Sequence, residues 1–117
     1  MYEMKNLCKL KNLEAHAPET MKAFVAFDTA ALAAGAIPIK YKELMAIAVA
    51  LTTQCPYCIE IHSDKAREMG VSDQEISEVV MIAAALRAGA AITHGTHTEP
   101  RQYCPLDEEA FEFCSFL

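Results

Sequence analysis

The sequence predicts an all-α protein built as one domain. Three observations carry that expectation. Apolar residues recur three and four positions apart along most of the chain, proline and glycine fall at the ends of those runs, and no credible run of alternating strand residues exists. A chain of 117 residues is long enough for one hydrophobic core but not for two, so residues 1–117 are expected to form a single domain.

The elements follow in order. Pro18 is placed to open a helix, because a first-turn residue needs no intrahelical N–H donor. Met21, Phe24, Val25, Ala31 and Leu32 then recur at helical spacing until Gly35 stops the run. Ile37-Pro38 is a joint. A second helix begins at about Lys40, with Leu44, Ile47, Ala48 and Leu51 on one stripe. Pro56 ends it and opens a third, which Gly70 closes. Ser72 and Glu75 have the spacing of a capping box ahead of a fourth helix that runs to about His94-Gly95. A loop with Pro100 and Pro105 then leads to a short helix predicted from Asp107 to Cys114.

Composition narrows the functional classes. Hydrophobic residues make up 53%, which excludes a disordered chain. The net charge is −6 and the basic residues are scattered, so no nucleic-acid partner is expected. No basic start followed by an apolar run is visible, and no signal peptide is expected. The longest apolar stretch, Val79 to Ile92, is interrupted by Arg87 and reads as too short to span a bilayer. Because that stretch is apolar on every other face, it reads either as a central core helix or as part of a subunit interface; the sequence favours the interface. Five cysteines form no evenly paired framework, so the cytoplasm is the expected compartment.

The chemistry concentrates at Cys55-Pro56-Tyr57-Cys58. With Cys55 at the N-cap and Pro56 first in the helix, Cys55, Cys58, Ile59, His62, Ala66 and Met69 share the inward stripe. Glu60, Asp64 and Arg67 face away. Two cysteines three apart at a helix start can close a disulfide with little rearrangement, and the positive end of the helix dipole there favours thiolate. His62, four residues after Cys58, can hold or deliver a proton. Glu43 lies beside the Ile47 and Ala50 edge of an otherwise apolar helix, where a partly desolvated carboxylate suits general base work. Were the two helices continuous, Glu43 would stand about 18 Å from Cys55, but the break at Gln54–Pro56 lets the chain fold back. The alternative is a first-turn glutamate facing solvent near Lys40. Cys8, Cys104 and Cys114 are expected to pack as small apolar groups.

Glu43, eleven residues, Cys55-Pro56-Tyr57-Cys58, three residues and His62 together resemble the signature of the AhpD-like alkylhydroperoxidases. These belong to the carboxymuconolactone decarboxylase superfamily. Lys42-Glu43-Leu44 and Ala46 to Ala50 before the motif, and Ala83 to Gly89 after it, fit as well, so the likeness spans roughly residues 18 to 98. The resemblance implies an AhpD-like helical bundle that assembles as a homo-oligomer, a trimer or hexamer. It also implies reduction of a hydroperoxide or disulfide at the thiols, with electrons from a thiol or lipoyl protein and a Glu43–His62 proton relay. No cofactor and no membrane partner are implied. The chain departs from the family's best-studied peroxidases at Tyr57, where they carry a histidine, so the full relay is not matched. Tyr57 and His94 stand as residues that could support the site from outside it.

Three rival readings use the same residues. Cys-Pro-Tyr-Cys is also the glutaredoxin motif, with Ala46 to Leu51 as its only available strand, and nothing downstream supplies the second strand that fold needs. Cys55, Cys58 and His62 could give three zinc ligands, with His94 or His97 as the fourth. A decarboxylase of the same superfamily without peroxidase activity would have no use for the paired cysteines.

Overall fold

A computed structural model describes residues 2–100, and every regular element among them is helical. A 3-10 segment, Met4–Lys9, leads into α1 (Leu10–His16) and α2 (Pro18–Leu32). There follow α3 (Ile39–Thr53), α4 (Pro56–Glu68), α5 (Asp73–Gly95) and a last 3-10 turn, Thr96–Thr98. The glutaredoxin reading fails here, since Ala46 to Leu51 lies inside α3. The 3-10 segment and α1 have no counterpart in the sequence expectation. Met4, Leu7, Leu10 and Leu13 recur every third residue, a helical signal that expectation passed over, although Leu10 and Leu13 are exposed and the two elements bury nothing. The helix expected at Asp107 to Cys114, together with Pro105, Cys104 and Cys114, lies outside the described residues.

By proximity the chain divides into two units, Met1–Ala83 and Ala84–Leu117. The core of the first is built on a hairpin of α3 and α4. Gln54 turns the chain by adopting a left-handed conformation (φ 58°), and its N–H closes α3 on the Ala50 carbonyl. Ile47, Ala66 and Val71 are buried, with Leu44, Leu51, Ile76 and Val79 packed around them. The end of α4 delivers Val71 to that cluster. Gly70 takes φ 83°, its N–H bonds to the Arg67 carbonyl at 2.9 Å, and the Val71 N–H bonds to the Ala66 carbonyl at 3.0 Å. This pair of bonds satisfies the orphan carbonyls of the last turn, and the left-handed residue between them is best a glycine.

The expected capping box is formed. Glu75 Oε2 accepts from the Ser72 N–H at 2.8 Å and Ser72 Oγ from the Glu75 N–H at 3.1 Å. Glu75 also pairs with Lys40 at 2.9 Å, tying the start of α5 to the start of α3. The Ser72 N–H first, and then Lys40, hold the Glu75 carboxyl below its ordinary range. At the other side of α3, Lys42 Nζ donates to the Ala31 and Ala33 carbonyls at 2.9 and 2.6 Å, so α2 ends on a cation from its neighbour.

The apolar stripe of α2 is where expectation and structure part. Phe24 and Val25 are more than half exposed, and α2 buries no residue at all. Much the same holds for α5, where Met81, Ile82, Leu86 and Ile92 are exposed and only Ala83 is buried. A central core helix of this chain would not look like that. The stretch Asp73–Thr98 is long and apolar enough, by length and composition only, to cross a membrane. The expectation that this region is too short to span counted only residues 79 to 92, whereas the helix extends past both ends. A helix that packs against other protein passes the same test.

In the second unit, α5 continues to Gly95. Thr93 Oγ1 donates to the Gly89 carbonyl at 3.0 Å and Thr96 Oγ1 to the Thr93 carbonyl at 2.7 Å, extending the helix into its final turn. The rings of His94 and His97 meet edge to face at 5.2 Å.

Candidate active site

Cys55 is the N-cap of α4 and Pro56 its first residue, the arrangement that the sequence predicts. The cap is a sulfur. Cys55 Sγ accepts from the Cys58 N–H at 3.4 Å, and the two sulfurs lie 2.7 Å apart as free thiols. The Cys58 S–H donated to Cys55, followed by the N–H groups of Cys58 and Tyr57, lowers the Cys55 proton affinity below the ordinary thiol range. The shared proton, burial and the Asp28 charge push Cys58 the other way. Of the two thiols Cys55 is therefore the readier to lose its proton, an asymmetry that spacing alone leaves open.

Glu43 is only 3% exposed, which removes the reading of a solvent-facing glutamate beside Lys40. The hairpin brings it to α4, where Glu43 Oε2 lies 2.6 Å from His62 Nδ1 across nineteen residues of sequence. A carboxylate there accepts from Nδ1–H, and Nε2 is left as the basic nitrogen of the ring. The inward stripe of α4 is otherwise as expected, with Ala66 fully enclosed and Glu60, Asp64 and Arg67 exposed. Met69 is the exception at 39% exposed, because it is the C-cap and has left the helical path.

Cys58 and His62 share the wall of a cavity of about 550 Å³. Leu32, Met45 and Val49 make much of its surface apolar, and Asp28 and Lys42 add charge. Cys55 and Tyr57 do not line it. Tyr57 turns toward the N-terminal segment, accepting from Asn6 Nδ2 at 3.3 Å and meeting the Tyr2 ring edge-on at 5.8 Å. Asn6 and Tyr2 carry no sequence signal that points to the thiols. Cys8, expected to pack as a small apolar group, is instead exposed on the 3-10 segment, which has no core to offer it. Among the described residues, no group of three or more His, Cys, Asp or Glu side chains is arranged to hold a metal ion. His94 lies in the second unit, beside His97.

A sequence model of the carboxymuconolactone decarboxylase family matches residues 18–97. An uncharacterized protein from the cox locus of Paracoccus denitrificans is 46% identical over 72 residues, covering 62% of this chain and 65% of that relative. The chain thus spans somewhat less than two thirds of that relative's length. An uncharacterized protein of Haemophilus influenzae is 39% identical over 77 residues, covering 66% of this chain and 68% of its own. Among solved structures, the apo form of a carboxymuconolactone decarboxylase family protein from Legionella pneumophila superposes with a TM-score of 0.66. It is 29% identical and covers 79% of this chain and 82% of that one. A protein from Methanobacterium thermoautotrophicum reaches a TM-score of 0.71 at 26% identity, covering 75% of this chain and 99% of its own.

Proposed function

This chain belongs to the carboxymuconolactone decarboxylase family, and from that premise we propose that it is a thiol-dependent peroxidase or disulfide oxidoreductase working through Cys55 and Cys58. One observation carries the reading. Two free thiols 2.7 Å apart stand on the same helix as an imidazole that a buried carboxylate holds at 2.6 Å. A decarboxylase would leave the pair of sulfurs without a task.

The cavity presents Cys58 and His62 to a bound hydroperoxide. His62 Nε2 takes the Cys58 proton, with Glu43 balancing the imidazolium charge. Cys58 Sγ attacks the outer peroxide oxygen, the O–O bond breaks, and the alkoxide leaves as an alcohol with the proton from His62. The Cys58 sulfenic acid is then attacked by the Cys55 thiolate, which forms the disulfide and expels hydroxide; a proton from solvent turns it to water. Two electrons have passed from the thiols to the peroxide. A dithiol donor, a thiol or lipoyl protein, returns them by thiol–disulfide exchange. With Tyr57 turned toward Asn6, the relay has two members, Glu43 and His62.

The protein is further proposed to be a cytoplasmic homo-oligomer, a trimer or hexamer. The exposed Phe24, Phe27, Met81, Leu86 and Ile92 support assembly, since a lone soluble chain rarely leaves so much apolar surface to water. Stopped-flow oxidation of the reduced protein by several hydroperoxides and by small disulfides tests the activity, with mass mapping of the product. A Cys55–Cys58 bridge is expected. A dominant bridge to Cys104 or Cys114, or no reaction with either oxidant class, would sink the reading. Light scattering should give a mass well above 12.9 kDa.

A further inference from the structure

The geometry points to the N-terminal segment as a positioning element for the thiols, with Asn6 holding Tyr57 and through it the first turn of α4 that cradles Cys55. Two independent contacts from that segment converge on one side chain. Asn6 Nδ2 donates to the Tyr57 hydroxyl at 3.3 Å, and the Tyr2 ring packs edge-on against the Tyr57 ring at 5.8 Å. Tyr57 sits between the two cysteines in sequence, and its own backbone amide is one of the groups that lower the Cys55 proton affinity. The Cys58 N–H, one residue on, is another, at 3.4 Å.

The physical link is short. Both amides belong to the opening turn of α4, where backbone N–H groups have no intrahelical partner and a helix frays most easily. Holding the Tyr57 side chain from outside the helix keeps those amides aimed at the sulfur. A charge-assisted bond weakens steeply with misalignment, so a loosened first turn stabilises the thiolate less. Neither Asn6 nor Tyr2 touches the reacting atoms. Their role is positional, and it rests on the proposed thiol chemistry only in giving the Cys55 thiolate a use.

Several other groups bear on the equilibrium and stay unchanged in the test. Cys58 shares its proton with Cys55, Asp28 of α2 acts on Cys58, and His62 with Glu43 lies on the cavity side. Glu3 and Lys5, the charged neighbours of Asn6, pair with each other.

The test is the pH dependence of Cys55 alkylation by iodoacetamide in the reduced full-length protein, assigned by fragmentation of the labelled peptide. It is run on wild type, Asn6→Ala, Tyr57→Phe and the double variant. Each single change should raise the Cys55 midpoint by on the order of 0.5 unit, slowing alkylation below the midpoint about threefold. The double variant should raise it no further, because both changes remove the same bond. A midpoint in Asn6→Ala equal to wild type, or effects that add, would overturn the proposal. Should Asn6→Ala fail to fold, Tyr57→Phe removes a single oxygen and decides alone, an unchanged midpoint counting against the idea. Alkylation needs no oxidant, so a chain inert to hydroperoxides can pass this test and an active one can fail it.

Discussion

α2 and α3 are each fifteen residues long, and they use their apolar residues in opposite ways. α3 buries Glu43, Ile47 and Ala50, while α2 buries nothing. Both begin after or at a proline and end without a glycine in the last turn, so local signals do not separate them. What differs is the neighbour. The two-residue turn after α3 returns the chain as α4, which covers the Ile47 face and seats Ala66 and Val71 on it. α2 meets its neighbour mainly at its end, where Lys42 reaches its last carbonyls. The hairpin is complete within one chain. The outer face of α2 is not, which is why the proposed assembly falls there and on α5, and the proposed chemistry on the hairpin.

The sharpest test of the hairpin side is Glu43→Gln. The amide keeps the shape and can still bond His62, but it cannot balance an imidazolium charge. Oxidation of the thiols should slow by roughly 10²–10⁴-fold, with fold and assembly intact. A variant that stays folded and reacts at the wild-type rate would take Glu43 out of the mechanism. One that unfolds would make it structural, and a chain that loses bound zinc to a chelator would favour a metal site.

Next comes a paired truncation. Ile47 is 1% exposed, so Ile47→Ala should cost about 2–5 kcal/mol of stability at any protein concentration. Phe24 is 59% exposed in the single chain, so Phe24→Ala should cost little to a monomer. Its penalty should appear only where light scattering shows the assembled mass, and should vanish on dilution. Equal, concentration-independent losses in urea melts would erase the contrast between the two helices.

The smallest effect concerns the hairpin's closing turn. Gly70→Ala places a Cβ in open space but at φ 83°, so its cost is conformational, about 1 kcal/mol. A loss of several kcal/mol in the same melts would mean that the turn positions far more than Val71.

Much of the molecule was legible beforehand because its signals are local. Pro18 and Pro56 at helix starts, the Ser72–Glu75 box, Cys55 as N-cap and the shared face of Cys58 and His62 all depend on residues within one or two turns of each other. The family, too, is written in spacing, and the match over residues 18–97 agrees with the likeness read from 18 to 98. Other features depend on which segments meet. The contact of Glu43 with His62 needs the hairpin to close, since nineteen residues separate them and a continuous helix would hold them apart. The lowered proton affinity of Cys55 and the raised one of Cys58 need the actual positions of two backbone amides and of Asp28 on another helix. Tyr57's attachment to Asn6 spans fifty-one residues and has no periodicity to announce it. Apolar spacing says that a face seeks cover; it does not say whether the cover comes from the same chain. For Ile47 the return of α4 supplied it, and for Phe24 nothing in the described chain does, because burial is a property of the packed neighbours and not of the residue.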